Sequence, residues 1–179
     1  MLRRGKNCAA GFAGVLLMLA MMAGVAGANP APSVSGEPNP YVAAAAEAGV
    51  PLHVLIAVVG AESAYHPWAL DIEGKQVFCK SREEAAAVLA NTVTTNVDIG
   101  LMQINWRFWG PRLGVAKNDL LDPRINLRMG AKILRDGLDR NGSEWRRISN
   151  YHSGGSTERD RYNRQVYDAY QRYLRGEVR

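Results

Sequence analysis

The sequence has few cysteines and histidines, and this scarcity excludes several kinds of site. Among 179 residues there are two cysteines, Cys8 and Cys79, and three histidines. They show no zinc-like spacing, and the chain has no glycine-rich phosphate loop and no dinucleotide fingerprint. We therefore expect neither a metal nor a cofactor.

Acidic residues are absent from the first 28 positions. Arg3, Arg4 and Lys6 precede an apolar run over residues 12–25, and Ala26-Gly27-Ala28 forms a small-x-small cleavage site. This pattern is typical of a secretory signal peptide, here residues 1–28. The alternative is an uncleaved anchor, but the run is shorter than the roughly 20 apolar residues that a membrane span needs.

Cleavage after Ala28 changes the charge and the cysteine count. It removes three positive charges and no negative ones, so the net charge falls from +5 to +2. The basic composition is then poor evidence for nucleic-acid binding, and we expect no nucleic-acid partner. Cys79 remains alone, so no internal disulfide can form and the fold must depend on its core. Cys79 either pairs between chains or is a small apolar core residue.

The rest of the chain predicts one mainly α (α+β) domain over residues 41–175, preceded by a proline-rich linker over 29–40. A capping box opens a helix at Ser81, and Asp122-Pro123 starts another. A small β-hairpin is predicted about Gly74, and residues 91–97 are expected to form a loop. The expected helices cover 41–48 with Gly49 as C-cap, 51–63, 81–89, 122–140 with a stop at Asn141-Gly142, 144–151 and 158–174.

The stretch from Pro51 to Ser63 is the centre of this arrangement. Leu52 to Ala61 is apolar on nearly every face, which predicts a buried helix, with His53 as a core residue. Glu62 is its only acid. Burial and the negative end of the helix dipole both raise the pKa of a carboxyl group there, which suits a general acid. The alternative is a glutamate at the surface rim of a core helix.

Five segments occur in an order that matches a known family. They are the Glu62-Ser63 helix end, Gly100-Leu101-Met102-Gln103, the helix segment Asn126 to Leu134, Asn150-Tyr151-His152-Ser153-Gly154, and Tyr162 on the last helix. Together they resemble the catalytic domain of soluble lytic transglycosylases, which is related in fold to goose-type lysozyme. The resemblance covers residues 41–174. It implies a lysozyme-like helical domain acting on peptidoglycan glycan strands in the periplasm.

The family chemistry implies a double role for Glu62. As an acid it would protonate the glycosidic oxygen between N-acetylmuramic acid (MurNAc) and N-acetylglucosamine (GlcNAc). As a base it would then take the proton of the MurNAc C6 hydroxyl, which closes a 1,6-anhydro ring. One carboxyl group thus does the work that most glycosidases divide between two.

The resemblance implies substrate-binding roles for seven further residues, several with a structural alternative. Ser63 supports Glu62 or bonds the preceding helical turn. Met102 lines the groove or belongs to the core, and Tyr162 is a site residue or a core aromatic. Gln103 offers its amide to an N-acetyl group. The others are Tyr151, which reaches the acid, Asn105, which faces the groove, and Asp98.

Two departures from the family pattern affect the expected chemistry. His152 stands where the family usually has Asn, which leaves one hydrogen bond to the substrate or to Tyr151 in doubt. Asp98 adds a second acid near the site. It either positions a water for hydrolysis or caps the turn at Gly100. A hydrolytic lysozyme therefore remains one alternative, and a non-catalytic wall-binding or assembly subunit another.

The inserted hairpin and the Asp98-Ile99-Gly100 form of the glycine motif resemble the short transglycosylases of secretion, pilus and conjugation systems. Components of such an apparatus are the partners that this resemblance implies, and we expect a monomer. Tyr65, His66, Trp68, Trp106 and Trp109 are of the type that lines a sugar-binding groove, although Trp106 and Trp109 could instead be core.

Overall fold

The computed structural model describes residues 39–138, 148, 151 and 156–177. The predicted mainly α fold with a small β-hairpin is confirmed. In chain order the elements are α1 (Pro40–Ala48), α2 (Leu52–Ser63), β1 (Ala69–Ile72), β2 (Lys75–Phe78), α3 (Arg82–Ala90), β3 (Val97–Ile99), β4 (Ile104–Asn105), α4 (Trp106–Leu113), a 3-10 helix (Lys117–Leu121), α5 (Pro123–Leu138) and α6 (Ser156–Leu174).

Helix α2 is the buried centre of the domain, as its uniformly apolar sequence predicts. Every residue from Val54 to Gly60 is buried, with α1 and α6 packed against the helix. Gly49 ends α1 in the left-handed conformation and donates its N–H to two carbonyls of the last turn, so the predicted C-cap is confirmed. Pro51 lies one position before the helix, at the N-cap.

His53 is not a core residue, and that prediction was wrong. The side chain is exposed at the start of α2 and its ring lies 5.6 Å from the ring of Tyr170 on α6. The helix is continuously buried only from Val54 to Gly60, because its first turn reaches the surface.

The sheet is larger than predicted. It has four antiparallel strands in the order β2-β1-β3-β4, of which only the β1–β2 hairpin was expected. Glu73 and Gly74 form the hairpin turn at positive φ, and Asp71 accepts the Gly74 N–H at 2.6 Å. Strand β3 starts at Val97, at the end of the predicted loop.

The register gives this sheet one polar and one apolar face, because directly paired residues point to the same side. The polar face carries a line of four side chains, one from each strand, which we call the polar row: Gln76, Asp71, Asp98 and Asn105. The apolar face carries Leu70, Ile99 and Ile104, which are buried in the core. The sheet therefore presents Asp98 away from the core.

Both predicted helix starts are confirmed. Ser81 Oγ accepts from the Glu84 N–H at 3.2 Å, while the Glu84 carboxylate accepts from the Lys80 N–H at 2.7 Å. The return bond of the capping box thus goes one residue further back than expected. Asp122 caps α5 by accepting from the N–H groups of Arg124 and Ile125.

Helices α5 and α6 each bury one apolar face. Helix α5 packs against α1 and α6 packs against α2. The buried residues of these faces are Leu127, Ala131, Ile133, Leu134 and Leu138 on α5, and Tyr162, Val166 and Ala169 on α6. Helix α6 begins two residues before the predicted start at Glu158.

Several predictions lie outside the described residues. They are the signal peptide 1–28, the linker up to residue 38, the helix stop at 141–142, most of the short helix 144–151, and His152. Within the described ranges, no single helix is long and apolar enough to cross a membrane; α1 and α2 meet that criterion only as a pair bent by 115°.

Candidate active site

Glu62 lies in the last turn of α2, beside the first half of α6. Tyr162 of α6 is 4% exposed, and its hydroxyl donates to Glu62 Oε1 at 2.6 Å. The ring of Tyr162 is therefore part of the core, and its hydroxyl contacts the predicted acid. Helix packing joins two residues that are 100 positions apart in sequence.

The surroundings of Glu62 favour its neutral form. Its pKa is raised to about 8, chiefly by burial among protein atoms. The hydrogen bond from Tyr162 acts in the opposite direction because it stabilises the carboxylate, and the negative charge of Asp98 raises the pKa further. The residue keeps partial access to solvent. Near neutral pH it is therefore a protonated acid that a substrate can reach.

Asp98 is a strand residue in the polar row, and it does not cap the turn at Gly100. Asn105 Nδ2 donates to Asp98 Oδ1 at 2.6 Å, and Asp71 lies directly opposite on β1. The charge of Asp98 raises the pKa values of both Glu62 and Tyr151. A second carboxylate thus lies within electrostatic range of the acid.

Tyr151 is half-buried, and its hydroxyl donates to the main-chain carbonyl of Met102 at 2.6 Å. Its pKa is raised well above the usual value by burial, and then by the charges of Glu62 and Asp98. The phenol is therefore neutral at all physiological pH values, and it lies close to both acids.

Gln103 has a backbone φ of 43°, a conformation that L-residues seldom adopt outside tight turns. Its Nε2 donates to the carbonyls of Gly100 at 2.8 Å and Ala69 at 3.1 Å. The two amide hydrogens thus hold the β3–β4 turn, whereas we expected the amide to offer donors to a sugar.

Met102 does not line a groove, and that prediction was wrong. Its side chain is fully buried, and a Cβ at Gly130 on α5 would lie 2.4 Å from Met102 Cγ. Gly130 therefore provides the space that Met102 occupies. Met102 contributes its main-chain carbonyl to the site, and its side chain belongs to the core.

Ser63 and Asn105 have structural contacts. Ser63 is buried and its Oγ donates to the carbonyl of Val59 at 3.2 Å, which is the helical-turn alternative. Asn105 accepts from the Phe108 N–H as the N-cap of α4, and it donates to both Asn96 and Asp98. Asn105 thus fixes the carboxylate of Asp98 to the start of a helix.

Asn126 is the residue that the sequence analysis missed. Its side chain is fully buried on α5, where Nδ2 donates to the carbonyls of Ile99 at 2.8 Å and Leu120 at 2.9 Å. Its Oδ1 accepts from the Met102 N–H at 2.8 Å. An amide on the apolar face of a predicted amphipathic helix was the available signal, because a buried polar group needs partners.

The predicted groove aromatics are half-buried. The side chains of Tyr65, Trp68, Trp106 and Trp109 pack against the core with one surface and reach solvent with the other. A separate cleft between α1 and α5 is lined by Pro40, Ala43, Ala44, Glu47, Arg124, Ile125 and Arg128, and contains none of the predicted site residues. Within the described ranges, no group of three His, Cys, Asp or Glu side chains could hold a metal ion.

Comparison with known proteins gives a family and several relatives. The family model of the transglycosylase SLT domain matches residues 40–174. Invasion protein IagB of Salmonella typhimurium strain SL1344 is 32% identical over 117 residues, which cover 59% of this chain and 72% of the relative. Invasion protein IagB of Salmonella typhi is 30% identical over 113 residues, covering 57% and 70%. No solved structure matched the chain.

Proposed function

Since this chain belongs to the transglycosylase SLT domain family of peptidoglycan lytic transglycosylases, we propose that it cleaves the MurNAc–GlcNAc bond by internal transfer, leaving 1,6-anhydro-MurNAc ends. The observation that carries the proposal is the carboxyl group of Glu62, which has a raised pKa and accepts a hydrogen bond from Tyr162. A carboxyl group that is protonated near neutral pH and ionisable during the reaction can serve as the acid and then as the base.

The hydrogen bond from Tyr162 assigns different tasks to the two oxygens of Glu62. Oε1 accepts from the phenol, so Oε2 is the oxygen that carries the proton toward the substrate. In the first step, Oε2–H protonates the leaving GlcNAc oxygen as the anomeric C1–O bond breaks. The resulting carboxylate keeps the hydrogen bond of Tyr162, which stabilises its negative charge.

The second step restores the enzyme without water. The carboxylate of Glu62 removes the proton from the MurNAc C6 hydroxyl, and that oxygen bonds to C1 to close the anhydro ring. The positive charge that develops at C1 is stabilised by the acetamido group of the substrate itself. Protons and charge balance, because the proton given to GlcNAc is replaced by the one taken from C6–OH.

We assign substrate-binding roles to Gln103 and Tyr151. Both amide hydrogens of Gln103 bond main-chain carbonyls, so its Oε1 is the atom available to accept an N-acetyl N–H. The Tyr151 hydroxyl donates to Met102, which leaves its oxygen lone pairs to accept from a sugar hydroxyl. Half-buried aromatic side chains nearby would provide apolar surface for sugar faces.

The products of digestion test the proposal. Purified protein without residues 1–28 is incubated with peptidoglycan sacculi, and the masses of the released muropeptides are measured by mass spectrometry. Internal transfer gives products lighter by one water than hydrolytic ones, with no incorporation of heavy oxygen from labelled water. Reducing-end muropeptides that carry solvent oxygen would overturn the proposed product.

Hydrolysis is the second candidate, and the proximity of Asp98 to Glu62 favours it. A carboxylate opposite the acid could activate a water, as in inverting glycosidases. Asp98→Asn separates the two reactions, because the amide keeps the size of the side chain but cannot act as the base. If hydrolysis competes, this substitution will lower the amount of hydrolytic products and leave the amount of anhydro products unchanged.

We further propose that the enzyme acts in the periplasm and opens the wall locally during assembly of an envelope-spanning machine. The signal-peptide pattern supports export. The name of the Salmonella relatives, invasion protein, agrees with a specialised setting. A zymogram on peptidoglycan excludes the remaining alternative, a wall-binding subunit without activity, if a cleared band appears for the purified protein and not for Glu62→Gln.

A further inference from the structure

The turn between β3 and β4 carries residues of the candidate site, but a residue outside the site holds the conformation of the turn. Gly100 begins the turn at a φ of 77°, and its N–H donates to the Ala69 carbonyl at 2.8 Å. Gln103 ends it in a left-handed conformation, and its N–H donates to the Gly100 carbonyl at 3.1 Å. Such a conformation persists only where the surrounding structure holds it.

Asn126 holds the turn in this conformation. Its amide joins three main-chain groups: the Ile99 carbonyl before the turn, the Met102 N–H within it, and the Leu120 carbonyl on the 3-10 helix. In these three hydrogen bonds the donor and acceptor atoms lie 2.8 to 2.9 Å apart, and Asn126 is fully buried. A buried amide with all these partners is costly to disturb.

The turn and Asn126 fit each other so closely that a side chain is excluded between them. A Cβ at Gly100 would lie 2.3 Å from Asn126 Nδ2 and 2.9 Å from the Leu120 carbonyl oxygen. The position of the amide therefore determines where the backbone of the turn runs.

The main chain of Met102 links Asn126 to the site. The Met102 N–H donates to Asn126, while the Met102 carbonyl accepts from Tyr151. The next residue, Gln103, carries the side chain assigned to the substrate. Buried Asn126 is thus two hydrogen bonds from the Tyr151 hydroxyl, although it touches neither Glu62 nor the surface.

We propose that Asn126 is a positioning residue of the lytic site. It acts through the main chain of Met102 to hold the side chains of Tyr151 and Gln103 in the positions that the reaction needs. The role rests on the proposed function of that site. Without the amide, the turn relaxes, the Met102 carbonyl leaves its place and the Tyr151 hydroxyl loses its fixed acceptor. Tyr151 can then turn toward Glu62 or admit water beside it, and either change stabilises the carboxylate form.

The variants Asn126→Ser and Asn126→Asp test the role, with Leu127→Ala as the matched control. Leu127 is the next residue on α5 and is equally buried, but its side chain has no polar group that could form a hydrogen bond with the turn. All are compared at a temperature at which each is folded, as judged by a cooperative melt at higher temperature. We expect kcat to fall at least tenfold for the Asn126 variants, with a smaller change in KM. For Leu127→Ala we expect kcat to stay within about twofold, because the cavity left by the leucine side chain lowers the stability of the fold without changing the turn.

A second readout does not depend on activity. Glu62 is titrated by carbon NMR of glutamate-labelled protein, together with the ring signal of Tyr151. Among the residues that the structure describes, the charged or titratable groups that act on Glu62 are Tyr162 of α6, Asp98 of β3 and Tyr151. We expect the Glu62 titration to move to lower pH and the Tyr151 signal to shift in the Asn126 variants, and both to be unchanged in Leu127→Ala.

The outcomes separate this inference from the proposed function. If the wild type releases no muropeptides, the proposed function fails, while the NMR shifts still decide whether Asn126 positions Tyr151. If activity falls equally in the Asn126 variants and in Leu127→Ala, with no shift of either signal, the residue is only part of the core and the inference is overturned. It is also overturned if no substitution at Asn126 yields a folded domain, because the residue then serves the fold alone.

Discussion

At the scale of single residues, the site depends on opposing influences on one carboxyl group. Burial and Asp98 raise the pKa of Glu62 to about 8, and the hydrogen bond of Tyr162 limits the rise. Glu62→Gln keeps the shape and removes the transferable proton. We expect at least a 10²-fold loss of lytic activity, since general acid–base catalysis contributes roughly 10²–10⁴-fold. We expect little change in Tm in mild acid near pH 4.5, where Glu62 of the folded wild type is also neutral. A turbidity assay on sacculi measures it, and near-normal turnover would contradict the mechanism.

Tyr162→Phe tests the opposing influence. Loss of the phenol removes the bond that favours the carboxylate, so the pKa of Glu62 rises and the alkaline limb of the activity profile moves to higher pH. Tyr167→Phe on the same helix is the matched control, because that side chain is 51% exposed. A shift to lower pH, or equal shifts in both variants, would show that the phenol does not act on Glu62.

The raised pKa of Glu62 also links stability to pH. Between the unfolded value of 4.5 and the folded value of about 8, the unfolded chain binds fewer protons than the folded one, so stability falls as pH rises. The cost is complete above about pH 8 and is at most a few kcal/mol, because partial exposure reduces it. Denaturant melts should show the free energy of unfolding of wild type falling relative to Glu62→Gln over this window. A constant difference would mean that Glu62 titrates normally in the folded protein.

At the scale of elements, the polar row places two carboxylates side by side. Asp71 and Asp98 are direct partners on neighbouring strands, an arrangement that is destabilising when both are charged. Asp71→Asn keeps an oxygen for the Gly74 N–H and removes one charge. We expect a gain in unfolding free energy of about 0.2–1 kcal/mol at neutral pH, lost when both groups are protonated in acid. A gain that persists in acid would point to a cause other than charge.

Helices were largely predictable from the sequence and the sheet was not. Helix α5 has a long amphipathic pattern and a cap at Asp122, so several turns give the same signal. Strands β3 and β4 have three and two residues, which are too few for an alternating pattern to appear. Strand β3 is placed by pairing with β1 and by the buried amide of Asn126, which are contacts between segments far apart in sequence. Strand β4 then pairs with β3 alone.

The geometry of the candidate site was likewise predictable only where a local pattern carries it. Glu62 could be identified because an acid that closes an apolar helix is locally unusual. The burial of Met102 depends on the space at Gly130, and the exposure of His53 depends on where α2 meets the surface. Neither is encoded in the residues next to them in sequence.

At the scale of the whole molecule, Cys79 reports on the integrity of the core. The thiol is fully buried, and burial raises its pKa, so the folded protein should react slowly with thiol reagents and quickly once unfolded. Cys79→Ala should leave lytic activity intact and cost about 1–2 kcal/mol of stability through the small cavity. Rapid labelling under native conditions, or disulfide-linked dimers, would show that the thiol is accessible.

Export is the second prediction at this scale. We expect the mature protein to begin at or near Asn29 and to fractionate with the soluble contents of the envelope. Mass spectrometry of the intact protein from fractionated cells measures both. An uncleaved N-terminus in the membrane fraction would show that residues 1–28 are an anchor.

The bond between Tyr162 and Glu62 has a consequence for timing. The two residues are 100 positions apart, and Tyr162 lies on α6, so the contact forms only after that helix has been made. Long-range contacts of this kind close late, because the entropy of the intervening chain must first be lost. A polypeptide still crossing a membrane, or one cut short before α6, carries an incomplete acid. An enzyme that cleaves the wall would therefore be inactive during export, and it could damage the wall of the cell that makes it only after it has finished folding.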